Sequence, residues 1–315
     1  MRMPADPGPE LLDVVIVGGG PAGLSAALML GRCRRRVLVC DAGHPRNEAS
    51  EAMHGFLSRD GMHPAEFLKV SREQLARYDT VQQRSVRVAD VERGQDQFTT
   101  ILESGERVLS RMLLLATGLI DVLPEIEGFR QFWGKSIHVC PYCDGWEHRD
   151  QPIAVLGSCD LSGCLALELL LWTKDLTLCT NGQLACKGET RAQLRKNSVR
   201  VDERPVARFE GTGTQVERIR FADGEAVECK AVFFSPQQHQ RSALAEKLGC
   251  EFCDEDGCIS CSEFAHTSVP GVFAAGNASR GIQLVIAAAA EGAHAAFAIN
   301  DALLEEDAKR GVLKD

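Results

Sequence analysis

The chain has 315 residues, enough for a large hydrophobic core and two domains. A hydrophobic content of 44% and a charged content of 25% describe a soluble globular protein, and no apolar run reaches the ~18 residues of a membrane span. The net charge of -9 argues against nucleic acid or an anionic membrane as the main partner.

The first residues, "MRMPADPGPE", lack the apolar stretch of a secretory signal, so residues 1–9 are expected to be a disordered lead. The 13 cysteines are spread along a long chain, which suits a reducing cytoplasm better than a secreted disulfide framework. Most are then expected to be small buried hydrophobes.

"DVVIVGGGPAGLSAALMLGRCRRRVLVCDAG" (13–43) has the layout of a βαβ unit. An apolar strand ends in Gly18-x-Gly20-x-x-Gly23, an apolar helix follows, and "RVLVCD" is a second strand. Glycines at those positions let a pyrophosphate approach a helix N-terminus. Asp41 closes the second strand, where an acid hydrogen-bonds a ribose hydroxyl. The arginines of "RCRRR" (32–36) are expected at the solvated end of the helix, where cations suit its dipole. The polar stretch 45–61 is a loop, in which His54 is expected to be structural.

"RMLLLATGLIDVLPEIEG" (111–128) is a buried strand, a Thr117-Gly118 turn and a proline-rich exit. "HVCPYCDGWE" (138–147) follows, with Cys140 and Cys143 two residues apart and Asp144 directly behind. Three readings compete for this pair: a redox dithiol, half of a zinc site, or buried inert thiols. Pro141 stiffens the loop, and a helical turn starting after Cys140 lowers that thiol's pKa.

"QPIAVLGSCDLSGCLALELLLWTKDLTLCTNG" (151–182) repeats the first unit at an ungapped shift of 139 residues. Gly18 falls on Gly157, but Gly20 falls on Cys159, Gly23 on Ser162 and Asp41 on Thr180. A side chain at the second glycine pushes a pyrophosphate away from the backbone. "CTNG" has no arginine pair to hold a 2′-phosphate, so NADPH is not expected to bind well. The cleft near Trp172 or Tyr142 is a candidate for an aromatic ligand.

Further along, His239 and Arg241 in "FFSPQQHQRSALAEKLGC" (233–250) are expected in a surface turn. "CEFCDEDGCISC" (250–261) has the C-x2-C-x4-C-x2-C spacing of a zinc or iron–sulfur site, but "DEDG" is turn chemistry and the expectation is a hairpin without metal. In that hairpin Cys253 and Cys258 face each other. "TSVPGVFAAGNASRGIQLVIAAAAEGAHAAFAIN" (267–300) is a strand ending at Gly276 and an alanine-rich helix.

Taken together, "GGGPAGLSAAL", "ATG", "CPYCDG" and "TSVPGVFAAGN" resemble the low-molecular-weight thioredoxin reductases in order and spacing, over nearly the whole chain. The resemblance implies an α/β fold of two Rossmann-like domains, the second inserted into the first. It implies an FAD-binding domain at 10–120 and 248–310, a dithiol-bearing domain at 124–245, and a homodimer. By position, Gly18, Gly20, Gly23 and Asp41 hold the adenosine diphosphate part of FAD. Thr117 and Gly118 lie along FAD, Gly276 and Asn277 sit at the flavin phosphate and ribityl chain, and Gln283 lies by the flavin ring. Cys143 faces the flavin, Cys140 exchanges with substrate, and Asp144 moves the proton.

Two departures matter. Asn277 stands where the family has aspartate, and the second glycine motif and its basic stretch are lost. The resemblance therefore shifts toward branches with altered NADPH sites, such as ferredoxin-dependent reductases, diflavin disulfide oxidoreductases and dithiol oxidases, and a second flavin becomes a candidate for the cleft near Trp172 or Tyr142. The leading expectation is a flavoenzyme exchanging electrons with a thioredoxin-like protein or small disulfide, fed by ferredoxin or another donor. The alternatives are a dithiol oxidase with oxygen as acceptor and a non-enzymatic redox sensor.

Overall fold

The computed structural model describes residues 10–253, 257–279 and 281–313; the expected lead at 1–9 lies outside them. The chain divides into two compact units. One holds the residues up to Arg46, Ala65–Ile120 and Gln238 onward; the other holds Asn47–Pro64 and Asp121–Gln237. The polar segment Asn47–Pro64, early in the sequence, thus belongs with the second unit.

The first unit begins with β1 (Leu11–Val17), α1 (Pro21–Arg32), β2 (Val37–Asp41), α2 (Pro64–Leu75) and β3 (Val81–Ser85). It continues with β4 (Val88–Arg93), β5 (Phe98–Leu102), β6 (Arg107–Leu115) and β7 (Leu119–Asp121). Its sheet runs in the order β3-β2-β1-β6-β5-β4. The strands β1, β2 and β3 and the β1–β6 pairing are parallel, while β4, β5 and β6 form an antiparallel meander. Val14, Val15 and Ile16 of β1 are fully buried, as expected of an unbroken apolar run covered on both faces.

The second unit contains α3 (Phe129–Phe132), β8 (Ile137–His138), α4 (Pro141–Asp144), β9 (Ile153–Leu156), α5 (Asp160–Leu169) and β10 (Leu176–Cys179). Then come α6 (Gly188–Lys196), β11 (Arg200–Asp202), β12 (Val206–Thr212), β13 (Gln215–Phe221), β14 (Ala226–Glu228) and β15 (Ala231–Phe234). A parallel sheet of order β11-β10-β9-β15-β8 accompanies the antiparallel sheet β12-β13-β14. The repeat seen in the sequence is kept in register. Val14 pairs with Val37 in the first unit, and Ile153 pairs with Leu176 in the second. Both units are Rossmann-like.

The chain then returns to the first unit through β16 (Gln238–Gln240) and α7 (Leu244–Lys247), and adds β17 (Val272–Ala274) and α8 (Val285–Arg310). β17 joins β6 along Leu113–Leu115, beyond the stretch that β5 occupies. The 26-residue α8 packs on α1, and Gly292 is what permits it: a Cβ there would come 2.0 Å from the Ala22 carbonyl oxygen. Among the described residues no helix is long and apolar enough to cross a membrane.

One local expectation is corrected. Arg35 of the "RCRRR" run is not solvated. Its guanidinium reaches the Asn300 side chain at 2.9 Å and Asp307 at 2.6 Å, within a network that includes Arg111 and Asp13. The buried Asp307 carboxylate needs donors and draws Arg35 inward. Arg241 is exposed at a bend directly after β16, as expected of a surface turn; its amide donates to the Gly118 carbonyl at 3.1 Å and its guanidinium to the Leu119 carbonyl. His239 is exposed, as a surface position should be.

Candidate active site

In the first unit the glycine turn, the β2 acid and two later turns converge at the carboxyl ends of the parallel strands, where open α/β sheets bind ligands. Gly18 has φ +114°, and a Cβ there would sit 2.2 Å from the Ala116 carbonyl oxygen, just before Thr117. Gly23 is packed closer still: its Cβ would lie 1.9 Å from the Gly18 carbonyl. Gly20 caps α1, and a Cβ there would meet nothing within 4 Å. Two glycines therefore bring helix and strand together, and the third leaves space at the helix N-terminus. That is the arrangement a pyrophosphate needs.

Gly19 has its own reason: a Cβ on it would come 2.6 Å from the Asp41 carboxylate. Asp41 lines a cleft with Gly19, Arg72, Arg84 and Ser85. Its Oδ2 accepts from Arg72 at 2.7 Å and its Oδ1 from the Gly43 amide at 3.1 Å. Arg72 comes from α2, 31 residues away, and no local pattern in the sequence announces it. Thr117 and Gly118 follow β6 directly, and Gly276 abuts Ala22 of α1. The Gly276 amide donates to Glu291 at 2.8 Å, and Asn277 is half-buried in a 3-10 turn spanning Gly276–Ala278. Gln283 stands beside Gln238, and the two side-chain amides exchange hydrogen bonds at 3.0 and 2.6 Å. Arg46 also donates to Gln283.

The matching turn of the second unit is filled from within. The Cβ of a residue at Gly157 would lie 2.2 Å from Ser162 Oγ, and Cys159 Sγ stands 3.5 Å from that same oxygen. Burial pushes the Cys159 thiol up, but hydrogen bonds from the Ser162 hydroxyl and the Ser162 and Leu161 amides outweigh it and leave the pKa below its ordinary value. Thr180 is buried, and its hydroxyl is spent on the Gly182 and Asp202 carbonyls. Asp160 opens α5 where Pro21 opens α1. Its carboxyl is held below the usual range by the Lys187 amide and the Thr190 hydroxyl. A carboxylate at that point repels a phosphate, and "GSCDLS" already contained it.

The dithiol sits on α4. Cys140 caps this short helix and is disulfide-bonded to Cys143, with a Cα–Cα distance of 5.3 Å. The amides of Cys143 and Asp144 donate to the Cys140 carbonyl at 3.1 and 3.2 Å. Gly145 must be glycine, since a Cβ would come 2.9 Å from the Trp172 ring. Asp144 does not act alone. Its Oδ1 is 3.3 Å from His138 Nδ1, and His138 Nε2 is 3.1 Å from His148 Nε2. Burial, aided by the His138 charge, pushes the His148 pKa down to about 4, so His148 is neutral at pH 7 and can accept from His138.

The two histidines are hydrogen-bonded to each other, and His138 stands within ion-pair distance of Asp144. Sequence reasoning missed them. The only signal was a histidine at the end of the apolar "SIHVC" stretch, where an ionisable group must find a partner. His54, on the segment that joins this unit, lies 3.5 Å from Asp60 and 3.7 Å from Glu147, bracing the loop. Tyr142, between the two cysteines, stands edge-on to Trp172, and Trp146 lies under the Arg149 guanidinium; both are mostly exposed, at 68% and 64%.

A dinucleotide cradle in one Rossmann-like unit and a CxxC disulfide on a helical turn in the other define a flavin-dependent disulfide oxidoreductase. The family model "Pyridine nucleotide-disulphide oxidoreductase" matches residues 12–292, and the chain belongs to that family. Within it the chain is thioredoxin reductase-like. It is 36% identical over 281 residues to a protein named thioredoxin reductase tcpT from Claviceps purpurea, with 85% of this chain and 87% of that one covered. Among solved structures it superposes on HlmI with a TM-score of 0.91 at 40% identity, covering 96% of this chain and 95% of the other. A putative thioredoxin reductase TrxB from Bacillus anthracis gives a TM-score of 0.88 at 30% identity, covering 94% and 99%. Thioredoxin reductase-like proteins bind FAD, and the Gly20 space, the close-packed Gly18 and Gly23, and Asp41 fit that group.

Proposed function

We propose that the protein exchanges electrons between FAD and a protein or small-molecule disulfide through Cys140 and Cys143, without NADPH as donor. The observation that carries this reading is the contrast between the two glycine turns. Gly20 leaves space at its helix N-terminus, whereas Cys159, Ser162 and the Asp160 carboxylate occupy the equivalent turn. Bound FAD supplies the two-electron chemistry. Gly18, Gly20, Gly23 and Asp41 hold its adenosine diphosphate part, Thr117 and Gly118 lie along it, and Gly276, Asn277 and Gln283 serve the flavin end.

In the second unit Cys140 exchanges with the substrate and Cys143 with the flavin. Asp144, linked to His138, takes and returns the proton as thiol and thiolate interchange. Electrons enter from ferredoxin or another reduced donor, and a thioredoxin-like protein or small disulfide accepts them. The protein works as a cytoplasmic homodimer in this reading. Ile286, Phe297 and Leu304, exposed along one stripe of α8, support an apolar self-contact.

A dithiol oxidase is the second reading, favoured by exposed Tyr142 within the CxxC turn. An exposed aromatic ring suits a small apolar dithiol, which would reduce the Cys140–Cys143 disulfide and pass its electrons through FAD to oxygen. The two directions separate in one comparison. Dithiol-dependent oxygen uptake, lost in Cys143→Ser, supports the oxidase. Flavin reduction by reduced ferredoxin with turnover of a thioredoxin-like disulfide supports the reductase. Rapid turnover with NADPH alone would sink both.

A further inference from the structure

The C-x2-C-x4-C-x2-C run of residues 250–261 is symmetric about its centre; residues 254–256 of the expected turn lie outside the described residues, and the segments on either side pair antiparallel, which converts that symmetry into two facing pairs. The register is set by an antiparallel bridge between Phe252 and Ile259. The Ser260 amide donates to the Glu251 carbonyl at 2.8 Å, and the Cys253 amide to the Cys258 carbonyl at 2.9 Å. All three pairings share one register, which places Cys253 opposite Cys258 and Cys250 opposite Cys261.

Side chains alternate along a strand, so the two pairs lie on opposite faces. Cys250 and Cys261 share the face of Phe252 and Ile259, which packs into the core of the first unit. Burial pushes the Cys250 thiol up. On the other face Cys253 is exposed, and buried Cys258 is hydrogen-bonded through Sγ to the Asn277 carbonyl at 3.9 Å. Four sulfurs divided between two faces do not converge on one tetrahedral ion. Pairwise sulfur chemistry is what this hairpin can support. Directly opposed residues of an antiparallel pair have Cα atoms ~4.5–5.5 Å apart. Disulfides span Cα separations of ~4.4–6.8 Å.

We propose that Cys253 and Cys258 form a second redox-active dithiol, oxidised by small-molecule disulfides, which cross-links the hairpin beside the Gly276–Ala278 turn. The Cys253 thiolate attacks a low-mass disulfide RSSR, joins one sulfur and releases RS⁻, which takes up a proton from solvent as RSH. Cys258, deprotonated to solvent, then attacks the Cys253 sulfur and releases the second RS⁻, protonated in turn. The two protein thiols lose two electrons and two protons, and the two RSH molecules carry them. Exposure makes Cys253 the entry point, and buried Cys258 resolves the mixed disulfide. The core-facing pair Cys250 and Cys261 is the internal contrast.

The hairpin is tied to the turn that follows β17. The Ile259 amide donates to the Ala278 carbonyl at 2.8 Å, and Gln240 bonds the carbonyls of Gly257 and Ala278 at 3.0 and 2.9 Å. A cross-link one residue from Ile259 limits opening of that contact. Any effect on flavin retention rests on the function proposed above; the dithiol itself does not.

The test uses the full chain carrying Cys140→Ser and Cys143→Ser, so that the first pair contributes nothing. Oxidation with glutathione disulfide, alkylation, digestion and mass spectrometry should yield a Cys253–Cys258 peptide lighter by two hydrogens. Adding Cys253→Ser should abolish it, and adding Cys250→Ser should not. Hydrogen exchange at the Ile259 amide should slow by about tenfold on oxidation, as local opening is restricted. Full alkylation of both cysteines after oxidation, a stable glutathione adduct on Cys253 with Cys258 still alkylated, or a Cys250–Cys261 cross-link instead would each overturn the proposal. Cross-linking without any change in flavin retention would leave the dithiol standing and count only against the flavin assignment.

Discussion

The two βαβ units pair their first strands in one shared register, yet their glycine turns differ in what they can admit. In the first unit every side chain that would crowd the turn has been removed, and Asp41 stands at the end of β2. In the second, Ser162 Oγ sits against Gly157, Cys159 caps the helix and the Thr180 hydroxyl donates to the Gly182 and Asp202 carbonyls. The sheet survives because strand pairing depends on the backbone and on apolar burial, both retained: Ile153, Val155 and Leu178 are as buried as Val14, Ile16 and Val39. A ligand site depends instead on three or four positions where a single side chain is decisive, and those are the positions at which the two turns differ. A fold and its binding site can therefore part company within one chain.

Matched substitutions break or sharpen this contrast. The largest effect is expected for Gly20→Val. A Cβ at Gly20 meets no protein atom, so the variant should fold, but its branched side chain would meet the pyrophosphate and the purified protein should be colourless. Its counterpart Cys159→Val should retain full flavin content. Yellow Gly20→Val protein would mean that the cradle is misassigned.

Cys143→Ser should reduce dithiol or disulfide turnover to background while keeping flavin bound, since it removes one partner of the exchanging pair without touching the first unit. Cys140→Ser should do the same. Steady-state turnover and the flavin absorbance of the same preparation provide the check, and unchanged turnover in either variant would exclude this pair.

Next comes the ribose acid. Asp41→Ala removes a charged hydrogen bond, commonly worth about 1.5–3 kcal/mol, so the FAD dissociation constant should rise roughly 10–100-fold. The matched Thr180→Val should leave FAD affinity alone and cost on the order of 1 kcal/mol of stability through its buried carbonyl contacts. Equal loss of FAD in both variants would erase the distinction between the units.

The smallest effect is a pH dependence seated in the second unit. His148 is held neutral, its pKa depressed to about 4 from the ordinary 6.5 by burial and the His138 charge. The unfolded chain takes up its proton at the higher pH, so this contribution is complete above about 6.5 and is lost as pH falls toward 4. A loss of about 2 kcal/mol across that window is expected, discounting for partial exposure and coupling to His138. His148→Asn should flatten the slope in denaturant titrations at pH 4.5 and 7. An unaltered slope would place the acid sensitivity elsewhere.

Much of this comparison was legible in the sequence, for a physical reason. Glycine turns, strand ends and the CxxC spacing are local, and an ungapped shift of 139 residues exposes each lost contact position by position. What escaped was non-local. Arg72 reaches Asp41 from another helix, and His148 meets His138 only because α4 turns the chain back. Asn47–Pro64 belongs with the later unit through tertiary contacts such as that of Gly134 with Ala49. Asp160 was visible and overlooked, because its meaning depends on standing at a helix start where Pro21 stands in the first unit.

The central claim is that the second turn no longer serves NADPH, and rapid mixing of the FAD-loaded protein with NADPH under anaerobic conditions tests it most directly. The flavin absorbance should remain that of the oxidised cofactor at micromolar NADPH, while an added dithiol bleaches it. Rapid bleaching by micromolar NADPH would contradict the account and return the protein to the NADPH-dependent reductases.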